Sequence, residues 1–155
     1  MTPEPFLRED FRVLTPEAFD FVLNNELKRA ARSQNFLTLV LMEPHPEAAG
    51  TNQDAVREIA RLVSREVRET DLLSASDEGR LSVVLLDADL QNSMRVIDRL
   101  MSRLDNYEFP SPLDIQVGAA CCPTHGADAD TLRRVAANRP VAPRRESRGS
   151  ASNAQ

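Results

Sequence analysis

No stretch of the 155 residues comes near the roughly 20 consecutive apolar side chains that a membrane-spanning helix needs. The opening MTPEPFLRED is polar and acidic and lacks the basic and apolar regions of a secretory signal. Cysteine is nearly absent: Cys121 and Cys122 stand side by side, and neighbours on a strand point to opposite faces. So placed they are poor partners for each other, and no disulfide framework exists. Strand residues with one thiol buried are expected. Positive charge is not in excess. Lys and Arg number 19 against 24 Asp and Glu, for a formal net charge of −5, which argues against nucleic acid or a membrane surface as partner of the whole chain. The two histidines, His45 and His125, lie alone in proline-containing loops. A metal site would need further ligands beside them, so surface positions are expected. No internal repeat is evident. These absences leave a soluble, cytoplasmic chain, large enough for a single domain with a real core.

What is present is a regular alternation of elements. Residues 1–13 carry few signals and read as an N-terminal arm. Thr15-Pro16-Glu17 is a helix start: an N-cap hydroxyl, proline at the first helical position, and an acid beside the positive helix end. Phe19, Val22, Leu23, Leu27 and Ala30 recur at helical spacing and carry that helix to about Ser33. Phe36 to Met42, FLTLVLM, is almost continuously apolar and reads as a buried central strand. Glu43-Pro44-His45-Pro46 should end it, because two prolines remove ladder donors. Glu47 to Gln53 reads as loop. From about Asp54 a second helix lines up Val56, Ile59, Ala60, Val63 and Val67, with Arg57, Arg61, Arg65 and Arg68 along its polar side. A hairpin follows, with strands Leu72 to Ser76 and Leu81 to Leu86 around a turn at Asp77-Glu78-Gly79. Ala88-Asp89 leads into a third helix that turns Leu90, Met94, Ile97, Leu100, Met101 and Leu104 inward. Met42, Met94 and Met101 all fall on apolar faces and read as core packing.

After the break at Pro110-Ser111-Pro112, Leu113 to Cys122 is the last main strand, and a short helix over Ala127 to Ala137 stops at Pro140. Residues 140–155 have almost no large apolar side chains. They cannot bury enough surface to offset their ordering entropy and are expected to form a disordered basic tail. The element order contains β-α-β-β-α-β. That is the α+β class: a ferredoxin-like, split βαβ arrangement, with an antiparallel central sheet flanked by helices that pack on one face. The first strand and the second hairpin strand should be central, in a domain spanning 14–139.

Several stretches make this order specific. They are LTPEAF at the first helix, LTLVLME at the first strand, REIARLVSREVRETDLL before the hairpin, then VVLLDADLQNSMRVIDRL and VGAACCPTHGADADTLRRVA. Together they resemble a degenerate GGDEF domain, from the family of diguanylate cyclases that condense two GTP into cyclic di-GMP on a nucleotide cyclase-like fold. The family's Gly-Gly-Asp/Glu-Glu-Phe pentapeptide forms the hairpin turn, and here that turn is Asp77-Glu78-Gly79-Arg80-Leu81. Acids replace both glycines, Gly79 replaces the metal-binding acid, Arg80 replaces the next Glu, and Leu81 alone keeps its apolar character. The other metal-binding acid of the family ends the first strand, where this chain has Glu43. The phosphate- and guanine-holding loop after it is several residues short, with Gln53 in place of a guanine-binding Asp. The family's phosphate-binding Lys has no counterpart, because Pro140 has already ended the last helix. Metal-assisted phosphoryl transfer needs held cations and positioned phosphates. The resemblance therefore implies no catalysis, no catalytic residue and no magnesium.

The family's second, inhibitory site is better kept. It consists of Arg-x-x-Asp, five residues before the pentapeptide, and an Arg eighteen residues after it. Arg68, Asp71 and Arg99 meet all three positions. In the family these residues bind cyclic di-GMP. Guanidinium groups suit guanine O6 and N7, base planes and phosphodiesters, and a carboxylate can accept from guanine N–H groups. Arg95 lies one turn before Arg99 on the same helix face and by spacing joins them. The plainer reading of Arg68 with Asp71 is a surface ion pair. Asp77, Glu78, Asp87 and Asp89 read as a solvated turn and a helix N-terminus rather than a cation site. The expected function is a non-catalytic cyclic di-GMP receptor. The alternatives are a ligand-free interaction or dimerisation module and a residual cyclase with magnesium-dependent GTP turnover. No output domain follows in the sequence, so a protein partner or a homodimer is expected to carry the signal, without nucleic acid or membrane insertion.

Overall fold

The computed structural model describes residues 13–46, 53–76, 79–107, 113–138 and 140–146. The elements are α1 (Pro16–Ser33), β1 (Leu37–Pro46), α2 (Gln53–Glu66), β2 (Leu72–Ala75), β3 (Leu81–Leu86), α3 (Leu90–Asp105), β4 (Leu113–Cys122), α4 (Ala129–Asn138) and β5 (Pro140–Glu146). Local chemistry sets several boundaries. The Thr15 hydroxyl accepts the Ala18 amide at 3.2 Å and starts α1. Gln34, in the left-handed region at φ 59°, ends it. Asp89 caps α3 by accepting the Asn92 amide at 2.8 Å. Asp128 accepts from the Thr131 amide and hydroxyl at 3.0 and 2.8 Å just before α4. The Thr131 amide bond, and then the hydroxyl bond, hold the Asp128 carboxyl below its ordinary range.

All pairings in the five-stranded sheet are antiparallel, in the order β2-β3-β1-β4-β5. The first strand and the second hairpin strand are central, as the pattern of apolar runs requires. Helices cover both faces, not one. Val40 and Met42 of β1 join the core beneath α2 and α3, while Leu37, Leu39 and Leu41 join the core beneath α1 and α4. A strand apolar at odd and even positions needs an apolar layer on each side. The run's one polar side chain, Thr38, is buried and donates to the carbonyl of Ala88 at 2.9 Å. Among the described residues the one buried side-chain oxygen or nitrogen without a hydrogen-bond partner is the Ser93 hydroxyl.

Several expectations fail for physical reasons. β1 does not stop at Glu43 but continues to Pro46. Its pairing with β3 ends at Met42↔Leu81, whereas pairing with β4 continues to Pro46↔Leu113. Beyond Met42 the strand is an edge on one side, where proline needs no donor. Residues 140–146 are strand rather than disordered tail and pair with β4 across two register shifts. Main-chain groups along β4's outer edge need partners whatever the side chains are. The remainder of the tail, 147–155, lies outside the described residues, as do arm residues 1–12 and the breaks at 47–52 and 108–112. Val13 is fully buried and the Leu14 amide donates to Leu73 at 2.8 Å, so the end of the arm is part of the core. Both cysteine thiols are buried, because both sheet faces are covered. Burial, and then Cys121, push the Cys122 thiol up. His125 is tied to its strand: its Nδ1 accepts the Cys121 amide at 2.9 Å and its own amide donates to Cys121 at 2.7 Å.

Candidate functional site

α2 ends at Glu66, and the chain then turns sharply, with the Asp71 amide donating to the Arg68 carbonyl at 3.0 Å. The Asp71 carboxylate lies inside that turn. Oδ2 accepts the Arg68 amide at 3.0 Å and Oδ1 accepts the Leu86 amide at 3.0 Å, at the end of β3. The Asp71 side chain is 3% exposed and the Arg68 side chain 60%. The Arg68 guanidinium donates to the Leu86 carbonyl and lies 3.6 Å from Asp71 Oδ1. Both main-chain groups of Leu86 are thus held by the turn. In this structure the Asp71 carboxylate, expected at the ligand, accepts main-chain amides. Its oxygens satisfy backbone amides that burial would otherwise leave without acceptors.

Arg99 reaches the same end of α2 from α3. Its Nε lies 3.3 Å from Glu66 Oε1, and its Nη2 makes a long 3.5 Å contact to the Glu66 carbonyl. A cation suits the carbonyl-rich end of a helix. The second Glu66 oxygen is taken by Arg103 Nε at 2.6 Å. Arg95 is exposed, and none of the ion pairs among the described residues involves it. The structure therefore brings Arg68 and Arg99 to one helix end, turns Asp71 inward, and puts Arg103, not Arg95, beside Arg99. Glu66 and Arg103 were not singled out from sequence. A Glu in the last turn of one arginine-striped helix and an Arg in the last turn of another was the available signal.

The hairpin turn carries the second set of expected residues. The Ser76 amide donates to Arg80 at 2.8 Å, the Gly79 amide to Ser76 at 3.2 Å, and the Arg80 amide to the Ser76 hydroxyl at 3.2 Å. Gly79 sits at φ 91°, a conformation that favours glycine. Asp77 and Glu78 lie outside the described residues, as does the Gln53 side chain. Leu81 is fully buried in the core under α2 and α3. The Arg80 guanidinium lies 3.6 Å from Glu43 Oε2. These two residues rim a pocket of about 40 Å³ that Gln116, Gly118, Ala136 and Pro140 also line. At about 10–15 Å³ per water, that volume corresponds to a few waters. A second pocket, of about 140 Å³, lies between the end of α1 and the arginine turn, with Arg29, Phe36, Thr70 and Asp87 in its wall. Among the described residues no three His, Cys, Asp or Glu side chains group as a metal site, and no helix is long and apolar enough to cross a membrane.

No protein-family model matches this chain, and no curated protein matches it. Solved structures do. The GGDEF domain of YfiN (TpbB) from Pseudomonas aeruginosa matches with a TM-score of 0.70 at 17% identity, over 82% of this chain and 81% of that one. A DGC protein from Thermotoga maritima gives 0.73 at 11% identity, over 84% and 98%. The GGDEF domain of DgcB from Caulobacter crescentus, solved in complex with c-di-GMP, gives 0.71 at 8% identity, over 88% and 89%. At such identities the likeness establishes the fold: this chain has the α+β fold of GGDEF domains.

Proposed function

We propose that this GGDEF-type domain is a non-catalytic receptor for cyclic di-GMP, with Arg68 and Arg99 contacting the ligand and Asp71 fixing Arg68. The observation that carries the reading is that Arg68 follows the end of α2 by two residues while Arg99 contacts Glu66, the last residue of α2, each arginine side chain being more than half exposed. Guanidinium groups there can take a guanine edge or a phosphodiester in paired bonds. A structural neighbour solved with c-di-GMP supports that choice of ligand. The absence of catalysis is supported by the hairpin. Arg80 brings a guanidinium to Glu43, where the resemblance expects a cation, and Gly79 stands where it expects a metal-binding acid. Without a held metal, phosphoryl transfer loses its main electrostatic support.

Calorimetric titration of cyclic di-GMP into the full chain tests this. Binding at micromolar or tighter affinity is expected, lost in Arg68→Ala and indifferent to GTP. No heat from the wild-type chain at high ligand concentration sinks the receptor reading. One observation favours a second reading, a ligand-free interaction module. Because the Asp71 carboxylate is committed to backbone amides, the arginine turn has a structural reason to exist without any ligand. That reading predicts no cyclic di-GMP binding and near-native behaviour of Arg68→Ala.

A further inference from the structure

We propose that Arg103 is a further ligand-contacting residue, and that Glu66 is a positioning residue that gathers Arg99 and Arg103 into one site for a phosphodiester group. The inference rests on the cyclic di-GMP reading above and assigns residues within it.

Arg95 and Arg103 lie one turn either side of Arg99, so spacing alone makes them equal candidates. The packing of α3 on α2 separates them. Glu66, in the last turn of α2, is 11% exposed at its side chain and gives one oxygen to each arginine: Oε1 to Arg99 at 3.3 Å, Oε2 to Arg103 at 2.6 Å. Both contacts use Nε, at the base of the guanidinium. The side chains remain 56% and 64% exposed. Two cations held by one anion leave a net charge of +1 at a fixed place. An anion arriving there completes the charge balance. Because Glu66 already restricts both arginines, less side-chain freedom is lost on binding. Among the described residues Arg95 has no such anchor.

The test is calorimetry with cyclic di-GMP on the full chain and four variants, each first shown to be folded by its thermal melt. Arg103→Ala should weaken binding about tenfold or more, the loss expected for one charge-assisted contact. Arg95→Ala should change it less than about twofold. Glu66→Ala raises the positive charge of the site, so a site driven by charge alone would bind more tightly. A positioning role predicts weaker binding instead, and Glu66→Gln, which keeps an acceptor for only one of the two Nε groups, should recover only part of it. Native affinity in Arg103→Ala, or tighter binding in Glu66→Ala, overturns the inference. If the wild type binds and Arg68→Ala does not, the receptor reading survives that failure. If the wild type gives no heat, both fall together.

Discussion

The Asp71 carboxylate accepts the amides of Arg68 and Leu86 and is almost fully buried. Removing it takes the acceptor from two part-buried amide donors. Asp71→Ala should therefore lose about 1–3 kcal/mol of unfolding stability in urea, with no ligand present. Arg68→Ala, at an exposed position, should stay within about 1 kcal/mol of the wild type. Equal stability of Asp71→Ala and wild type would show that the carboxylate has no structural role. The resemblance to the family's inhibitory site grouped Arg68, Asp71 and Arg99, because the positions of a motif can be counted along a chain. It could not show that Asp71 turns inward. That depends on α2 stopping at Glu66, before Arg68, so that the acid sits in a turn rather than on a helix face. Helix ends are set by capping and packing, which sequence periodicity reports poorly.

Between elements, polar contacts join α2 to α3 and to the residues just after it. One set centres on Glu66 and its arginines. Another centres on Glu58, whose Oε1 accepts from Arg61 at 2.5 Å and from the Tyr107 hydroxyl at 2.8 Å, just beyond α3. The Arg61 bond, and then the Tyr107 bond, hold the Glu58 carboxyl below its ordinary value of 4.5. A carboxyl with a lowered folded pKa stabilises the fold fully above its unfolded value, and that contribution is lost as pH falls through the folded value. An NMR titration should place the Glu58 midpoint below 4.5 in the wild type and closer to 4.5 in Tyr107→Phe. An unmoved midpoint would remove the tyrosine from this account. The apolar stripes of both helices were legible from spacing, and Ile59, Val63, Ile97, Leu100 and Met101 are all buried. The acids that join the helices were not, since a single helix's pattern does not show which neighbour its polar side meets.

At the scale of the molecule, one sheet divides two cores, and β5 closes the edge beyond β4. Ending the chain after Asn138 would leave that edge with unpaired main-chain groups. Such a truncated chain should melt several degrees lower, at roughly 2–4 °C per kcal/mol lost, and associate with rising concentration by light scattering. An unchanged melt without association would mean that the edge needs no cover. The split βαβ order was legible because each element carries its own period. The second helical layer follows from the unbroken apolar run of β1, and β5 escaped because main-chain pairing needs no apolar side chains. One consequence concerns descent. Selection for a stable fold alone would preserve Asp71, whatever became of the ligand. The exposed arginines at positions 68, 99 and 103 enjoy less of that protection and would drift once binding ceased to matter. Among relatives of this chain, then, a kept aspartate with scattered arginines would record folding alone, and kept arginines would record use of the proposed site.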